Sequence, residues 1–342
     1  MDYTDIIVKE TEALVNIPSP SGFTKKALEY VEKKANEYGF ETEYLNKGGL
    51  VIKIPGNDTG ATRGISAHVD TLGAMVRSIN KDGTLRFVAI GGFMMQTIES
   101  NYCRVHTRDG RTYTGTILST APSVHVHDDA RSLERVEKNM CVRLDEIADS
   151  AEDVRKLGIE TGDYISFDPM FVACESGYVK SRHLDDKASV AVILTFLKYL
   201  KDTGKKPATN VLALISNYEE IGFGASYLPE EISEFLAIDM GAVGEDLEGN
   251  ERKVSICAKD SSGPYDYEFT GKLIDLAKKN NIPYAVDVFP HYGSDASAAI
   301  KGGNNIKAAL IGQGVQASHN IERTHREGLL ATFNLLKAYM EV

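Results

Sequence analysis

Val211-Leu212-Ala213-Leu214-Ile215 runs straight into Ser216-Asn217-Tyr218-Glu219-Glu220-Ile221-Gly222. A short apolar run bounded by turn residues reads as a fully buried strand. It ends in two adjacent carboxylates, and the carboxyl ends of strands are where open α/β sheets bind their ligands. Like charges placed there repel unless a cation or a proton is shared. Upstream stands the apolar stretch Ala188-Ser189-Val190-Ala191-Val192-Ile193-Leu194, part of a helix expected over 187–202. Downstream, strands are expected at 235–239, 253–258, 284–289 and 306–311, with helices at 266–280, 295–301 and 325–340. Such alternation predicts an α/β fold with a mainly parallel, helix-covered sheet.

Toward the amino end, residues 3–16 and 24–37 read as amphipathic helices, the second opened by Ser21 or Thr24, with Pro18 and Pro20 punctuating the join. From Glu41 onward the pattern turns to short β runs, including Leu50-Val51-Ile52-Lys53-Ile54 and Gly64-Ile65-Ser66-Ala67. Between roughly Gly73 and Phe171 it becomes hairpin-like, with Lys81-Asp82-Gly83 and Arg108-Asp109-Gly110 as turn signals. The expected organisation is therefore a discontinuous main domain, 1–72 and 172–342, carrying an inserted β-rich domain at 73–171.

Composition narrows the function classes. With 42% hydrophobic and 25% charged residues the 342-residue chain is ordinary for a globular protein. No apolar run approaches a membrane span, and the start lacks the basic region of a signal peptide, so a cytoplasmic location is expected with no membrane partner. Cys103, Cys141, Cys174 and Cys257 lie far apart, which argues against a structural zinc site and a dense disulfide framework. A net charge of −11 repels a phosphate backbone and makes nucleic acid an improbable partner.

The remaining signal lies at strand ends and loops. Ala67-His68-Val69-Asp70 closes an apolar strand; residues two apart face the same way, so Asp70 is placed to hold the second ring nitrogen of a metal-binding His68. Taken alone, such a pair is more often a structural hydrogen bond. Leu184-Asp185-Asp186-Lys187 opens the buried helix, where an Asp is ordinarily a cap. Phe235-Leu236-Ala237-Ile238-Asp239 ends another apolar strand in an acid, and Ala317-Ser318-His319-Asn320 follows a further one. Collectively His68, Asp185, Glu219-Glu220, Asp239 and His319 are all types that ligate a borderline divalent ion. Two histidines and three carboxylates serve two ions if one carboxylate bridges, leaving a shared position for water.

With Ile17-Pro18-Ser19-Pro20-Ser21-Gly22, these motifs resemble the tetrahedral or glutamyl aminopeptidase-like family of co-catalytic metallopeptidases, some once labelled endoglucanases. The resemblance spans nearly the whole chain. It implies that His68 and Asp239 bind one metal, Glu220 and His319 the other, and that Asp185 bridges them. It also implies Glu219 as general base and Asp70 as the group orienting His68. Two divalent ions per subunit, zinc or cobalt, peptide substrates and a homo-oligomer, up to a dodecamer built on the inserted block, follow from the same resemblance. Thr71 stands where many relatives have Glu, and Lys187 where Arg is common, which bears on subfamily and substrate rather than on metal binding.

The function expected is hydrolysis of N-terminal residues from peptides by metal-activated water, with Glu219 moving the proton. A deacylase or carboxypeptidase on the same fold is the nearest alternative. A glycosidase fits poorly, because Glu219 and Glu220 are sequence neighbours rather than carboxylates opposed across a cleft. A non-catalytic metal-binding assembly protein has no need of Glu219. Gly293-Ser294-Asp295-Ala296, Tyr265, Tyr267 and His291-Tyr292 are candidate cleft residues whose bland readings are capping and packing. His125, His127, Asp128 and Asp129 read as a solvated or interface loop.

Overall fold

The computed structural model describes residues 2–342. Helices α1 (Tyr3–Val15) and α2 (Lys25–Glu37) lead into strands β1 (Glu41–Tyr44), β2 (Leu50–Ile54) and β3 (Asp58–His68). Next come β4 (Gly73–Ile79), β5 (Leu85–Ile90), β6 (Tyr102–His106), β7 (Thr112–Ser119), β8 (Met140–Leu144), the short α3 (Ala151–Lys156) and β9 (Tyr164–Phe167). The chain continues through β10 (Val172–Ala173), β11 (Tyr178–Ser181), α4 (Leu184–Thr203), β12 (Thr209–Ser216), β13 (Ile232–Ile238), β14 (Gly241–Val243), β15 (Val254–Asp260) and β16 (Gly263–Pro264). It ends with α5 (Tyr267–Lys279), β17 (Tyr284–Val288), α6 (Asp295–Lys301), β18 (Lys307–Gln316), β19 (Glu322–His325) and α7 (Arg326–Met340).

Strands β4 to β9 close into a barrel in the order β4-β5-β8-β7-β6-β9. Closure leaves no free sheet edge. The barrel has its own core, centred on Val76, Phe87, Val105, Ile117, Val142 and Ile165. The other thirteen strands form one sheet, whose centre β12-β3-β13-β18 is entirely parallel. Antiparallel strands flank that centre, with β2 beside β12 and β15 and β19 beside β18. The sheet is thus mixed, with parallel pairing where the sequence is most continuously apolar.

Strand periodicity divides the main body into two layers. Leu236 and Ile238 on β13, with Ala309 and Ile311 on β18, face the core shared with α1, α2, α4, α5 and α7. Their neighbours Phe235, Ala237, Ala308 and Leu310 face the opposite core, against Ala296 and Ala299 of α6. Leu184 through Leu197 of α4 are all buried, as expected of a helix apolar on every side. Parallel strands share a direction, so β3, β12, β13 and β18 deliver the segments beginning at His68, Asn217, Asp239 and Ala317 to one edge of the sheet.

Candidate metal centre and active site

At that edge the strand ends converge on a single buried cluster. His68 Nε2 lies 3.1 Å from Asp185 Oδ1 and 3.6 Å from Glu219 Oε2. His319 Nε2 lies 3.4 Å from Asp185 Oδ2 and 3.5 Å from Glu220 Oε2. The two oxygens of Asp185 therefore face different histidines. Donor atoms of His68, Asp185 and Glu220, and separately of His68, Glu219 and Asp239, stand within 4.8 Å of one another. No cluster of three such donors forms around His125, His127, Asp128 and Asp129 among the described residues.

The turns that present these groups are locally strained. Of nine non-glycine residues with positive φ among the described residues, four are at the cluster: His183 (67°), Tyr218 (70°), Ala317 (57°) and His319 (63°). Each costs about 1–3 kcal/mol, and such costs persist where surrounding structure enforces them, characteristically at functional sites. Asp185 has extended rather than helical backbone, and the peptide joining it to Asp186 is cis. Neither carboxylate caps α4. Asp185 turns toward the histidines, while Asp186 Oδ2 accepts from the His68 main-chain N–H at 3.1 Å.

Asp70 is 0% exposed and makes a different set of contacts from the one its spacing predicts. Its main-chain carbonyl, not its carboxylate, makes the 2.9 Å bond to His68 Nδ1, with the carboxylate oxygen at 3.6 Å. The chain leaves the strand after His68, so strict two-residue alternation no longer holds there. The carboxylate accepts instead from Glu219 N at 3.1 Å, Glu220 N at 3.3 Å and Ser21 Oγ at 2.5 Å.

Other supports carry no motif. Glu322 is 2% exposed and accepts from the main-chain N–H of both Asp185 (3.1 Å) and His319 (3.2 Å). His319 Nδ1 donates to the Gly92 carbonyl at 2.5 Å, so the barrel contributes to the site. Lys47 Nζ donates to the carbonyls of Phe223 and Gly224, pinning the turn after the two glutamates. Glu322 carries no motif in the sequence; its place at the site follows from its position at the start of β19.

Electrostatics follow from burial. Removal from water pushes the Glu219 and Glu220 carboxyls well above their ordinary range, and adjacent carboxylates add to the effect. Burial, then Asp185, raises Asp239 to about 7; burial raises Glu322 to about 8. Burial alone would depress His68 and His319, but Asp185 and the neighbouring glutamates overcome it, leaving His68 well above its usual value and His319 at about 11. Glu220 Oε1 and Asp186 Oδ1 are buried without a hydrogen-bond partner. Crowded carboxylates with unsatisfied oxygens beside two imidazoles fit a site for a metal cation.

A cavity of about 550 Å³ opens over the cluster. Asp185, Glu219, Glu220, Asp239 and His319 line it, together with Tyr292, Gly293, Ser294, Ser297 and Lys301. Asp295 is buried behind it, bound to Ser216 Oγ (2.7 Å) and Ala225 N (2.8 Å), while Ser294 forms a capping box with Ser297. Tyr265 is buried, donating to Asp260 at 2.8 Å, and Tyr267 is 91% exposed away from the cavity.

Residues 48–335 match the model of the M42 glutamyl aminopeptidase family. The chain belongs to the M42 family. It is an aminopeptidase, a hydrolase acting on peptides, and M42 peptidases are metal-dependent. The chain is 48% identical to the YhfE protein of Bacillus subtilis, over 98% of this chain and 96% of that one. The fold is that of aminopeptidase APDkam598 from Desulfurococcus kamchatkensis, with a TM-score of 0.86 and 26% identity over 99% and 94% of the chains. It is also that of the Pyrococcus horikoshii TET1 peptidase, described as assembling into a tetrahedron or a large octahedral shell, with a TM-score of 0.86 and 23% identity over 98% and 99%. Among the described residues of this M42 chain, no helix is long and apolar enough to cross a membrane.

Proposed function

We propose that this M42 enzyme is dinuclear, with His68 and Asp239 holding one divalent ion, Glu220 and His319 the other, and Asp185 bridging the two. The observation that carries the reading is the Asp185 carboxylate, with one oxygen 3.1 Å from His68 Nε2 and the other 3.4 Å from His319 Nε2. Zinc or cobalt suits this imidazole and carboxylate set. Such ions, when bound, polarise a carbonyl and lower the pKa of water to about 7.

The chain's own groups supply the remaining chemistry. Glu219 faces the cavity, and burial raises its carboxyl well above the ordinary carboxylate range, which makes it a stronger proton acceptor when ionised. It acts as general base toward the attacking water and returns the proton to the departing amine. Glu219 lies within ligand reach of His68 and Asp239, so its assignment as base rests on its place at the cavity wall and on the five other donors being enough for two ions. The carboxylate-rich floor favours a substrate that brings a cationic α-amino group. Main-chain carbonyls of Asp70 and Gly92 fix the second ring nitrogens of His68 and His319, keeping both Nε2 atoms turned inward.

We further propose that the inserted domain, 73–171, carries subunit contacts in a cytoplasmic homo-oligomer, up to a dodecamer. Exposed Tyr102, Val124, Val126 and Ile147 on that insert support this. A light-scattering mass of one chain in solution would remove it.

The testing experiment is hydrolysis of matched peptides with free and acetylated N-termini, before and after chelation and with zinc or cobalt restored. Cleavage of free N-termini only, lost on chelation and regained with metal, is expected. Cleavage confined to blocked peptides would replace the reading with a deacylase or carboxypeptidase.

A further inference from the structure

The segment Ser19–Phe23, singled out in the sequence by its prolines, has no part in the metal set yet touches both halves of the molecule. On the barrel side, Phe23 stacks on His106 of β6 (4.9 Å between centroids) and on Tyr164 of β9 (5.1 Å). Gly22 adopts φ +88°, and a Cβ there would stand 2.6 Å from the Tyr164 hydroxyl, so no side chain fits. A Cβ on Gly73 at the start of β4 would come within 2.7 Å of Pro20.

On the catalytic side the same segment is bonded residue by residue. Ser19 Oγ donates to the Val69 carbonyl at 2.8 Å, and Ser21 N donates to the Thr71 carbonyl at 3.2 Å. Gly22 N donates to Asn217 Oδ1 at 3.1 Å. Ser21 Oγ, 5% exposed as a residue, donates to Asp70 Oδ2 at 2.5 Å. That oxygen also accepts from Glu220 N, and its twin from Glu219 N.

We propose that Ser19–Phe23 is a strut between the barrel and the Glu219-Glu220 turn, and that Ser21 is a positioning residue acting through the Asp70 carboxylate. Without the Ser21 hydroxyl, the Asp70 carboxylate loses the bond that ties it to Ser19–Phe23, and the two main-chain N–H groups keep an acceptor that is held less firmly. The turn they belong to begins with Tyr218 at positive φ, which needs outside support to persist. The barrel thereby helps set the geometry of the catalytic pair, since Phe23 holds the far end of the strut. This inference rests on the roles proposed above for Glu219 and Glu220.

The test compares Ser21→Ala, Ser21→Thr and Phe23→Leu with the unsubstituted, metal-loaded enzyme, and carries Glu219→Gln alongside. Loss of an outer hydrogen-bond partner of this kind typically costs about 10–100-fold in activity or metal affinity. Ser21→Ala is expected to lower kcat by that order with a much smaller change in KM. It is also expected to speed amide hydrogen exchange in the peptide spanning 217–222, and Ser21→Thr to restore both. Phe23→Leu, which keeps the hydroxyl, is expected to give a smaller change of the same kind and provides a reading if Ser21→Ala does not fold. Normal kcat and unchanged exchange in Ser21→Ala, with Glu219→Gln inactive, would overturn the strut while leaving the catalytic roles intact. An active Glu219→Gln would instead remove the reading on which the strut depends.

Discussion

Glu219 and Glu220 differ by one position, and the roles proposed for them are different. Glu220 points toward His319 with its side chain 3% exposed, whereas Glu219 is 12% exposed and faces His68. Replacing Glu219 by Gln keeps the shape of the side chain but removes the proton acceptor proposed above. The expected result is metal content near normal and kcat lower by roughly 10²–10⁴-fold, measured by metal analysis and steady-state kinetics on one preparation. Glu322 does not line the cavity, yet it receives the main-chain N–H groups of Asp185 and His319. Glu322→Ala is expected to weaken metal binding at the site proposed for Asp185 and His319 about 10–100-fold, read by competition with a chromogenic chelator. These two outcomes distinguish the proton-transfer role proposed for Glu219 from a supporting role for Glu322.

At the level of elements, the closeness of the strand ends matters more than their sequence. The amide of Asp239 bonds to the carbonyl of Ile311 at 2.9 Å, bringing β13 and β18 together just where the first leaves the sheet. The next residue on β18 is Gly312, and a Cβ there would stand 1.2 Å from the Asp239 carbonyl oxygen. No rotamer relieves a clash between Cβ and backbone. Gly312→Ala is therefore expected to displace Asp239 and to cost roughly 1–3 kcal/mol or more, seen as a lower unfolding midpoint together with weaker metal retention. In the sequence this glycine looks like any other in an apolar strand. The strand ends themselves were legible, because the apolar runs of β3 and β13 stop at His68 and Asp239, ionisable residues that have no place in a dry sheet, and β12 is followed within a few residues by Glu219 and Glu220. Asp70 was legible only as a partner of His68; that its carboxylate serves the glutamate turn depends on where β3 ends and the loop begins.

Across the whole molecule, the junction between barrel and main body contains a buried imidazole. His106 bonds Ser166 Oγ at 2.8 Å and stacks on Phe23, and burial, aided by Lys26 and Arg104, lowers it from 6.5 to about 4. A histidine held neutral in the native state binds fewer protons than the unfolded chain. Its contribution is intact above pH 6.5, declines as the pH falls toward about 4, and then levels off. The full loss is on the order of 3 kcal/mol. Unfolding midpoints measured from pH 7 to pH 4 should fall more steeply for the native sequence than for His106→Asn, which has no titrating group there. Equal slopes would place the acid sensitivity elsewhere.

What the sequence alone determined was local and periodic. Alternating apolar helices and strands set the α/β body, hairpin signals marked the β-rich block, and ionisable residues at strand ends marked the cluster. Each is written in spacing and residue type, which hydrophobic burial reads directly. Only the tertiary structure decided that the block closes as a barrel, because closure depends on strand register rather than on any one residue's chemistry. Only it brought Glu322, the carbonyls of Asp70 and Gly92 and the hydroxyl of Ser21 to the site. Main-chain groups are common to every residue, so their use as hydrogen-bond partners leaves no mark in the sequence; it is fixed when parallel strands end side by side and water is excluded between them.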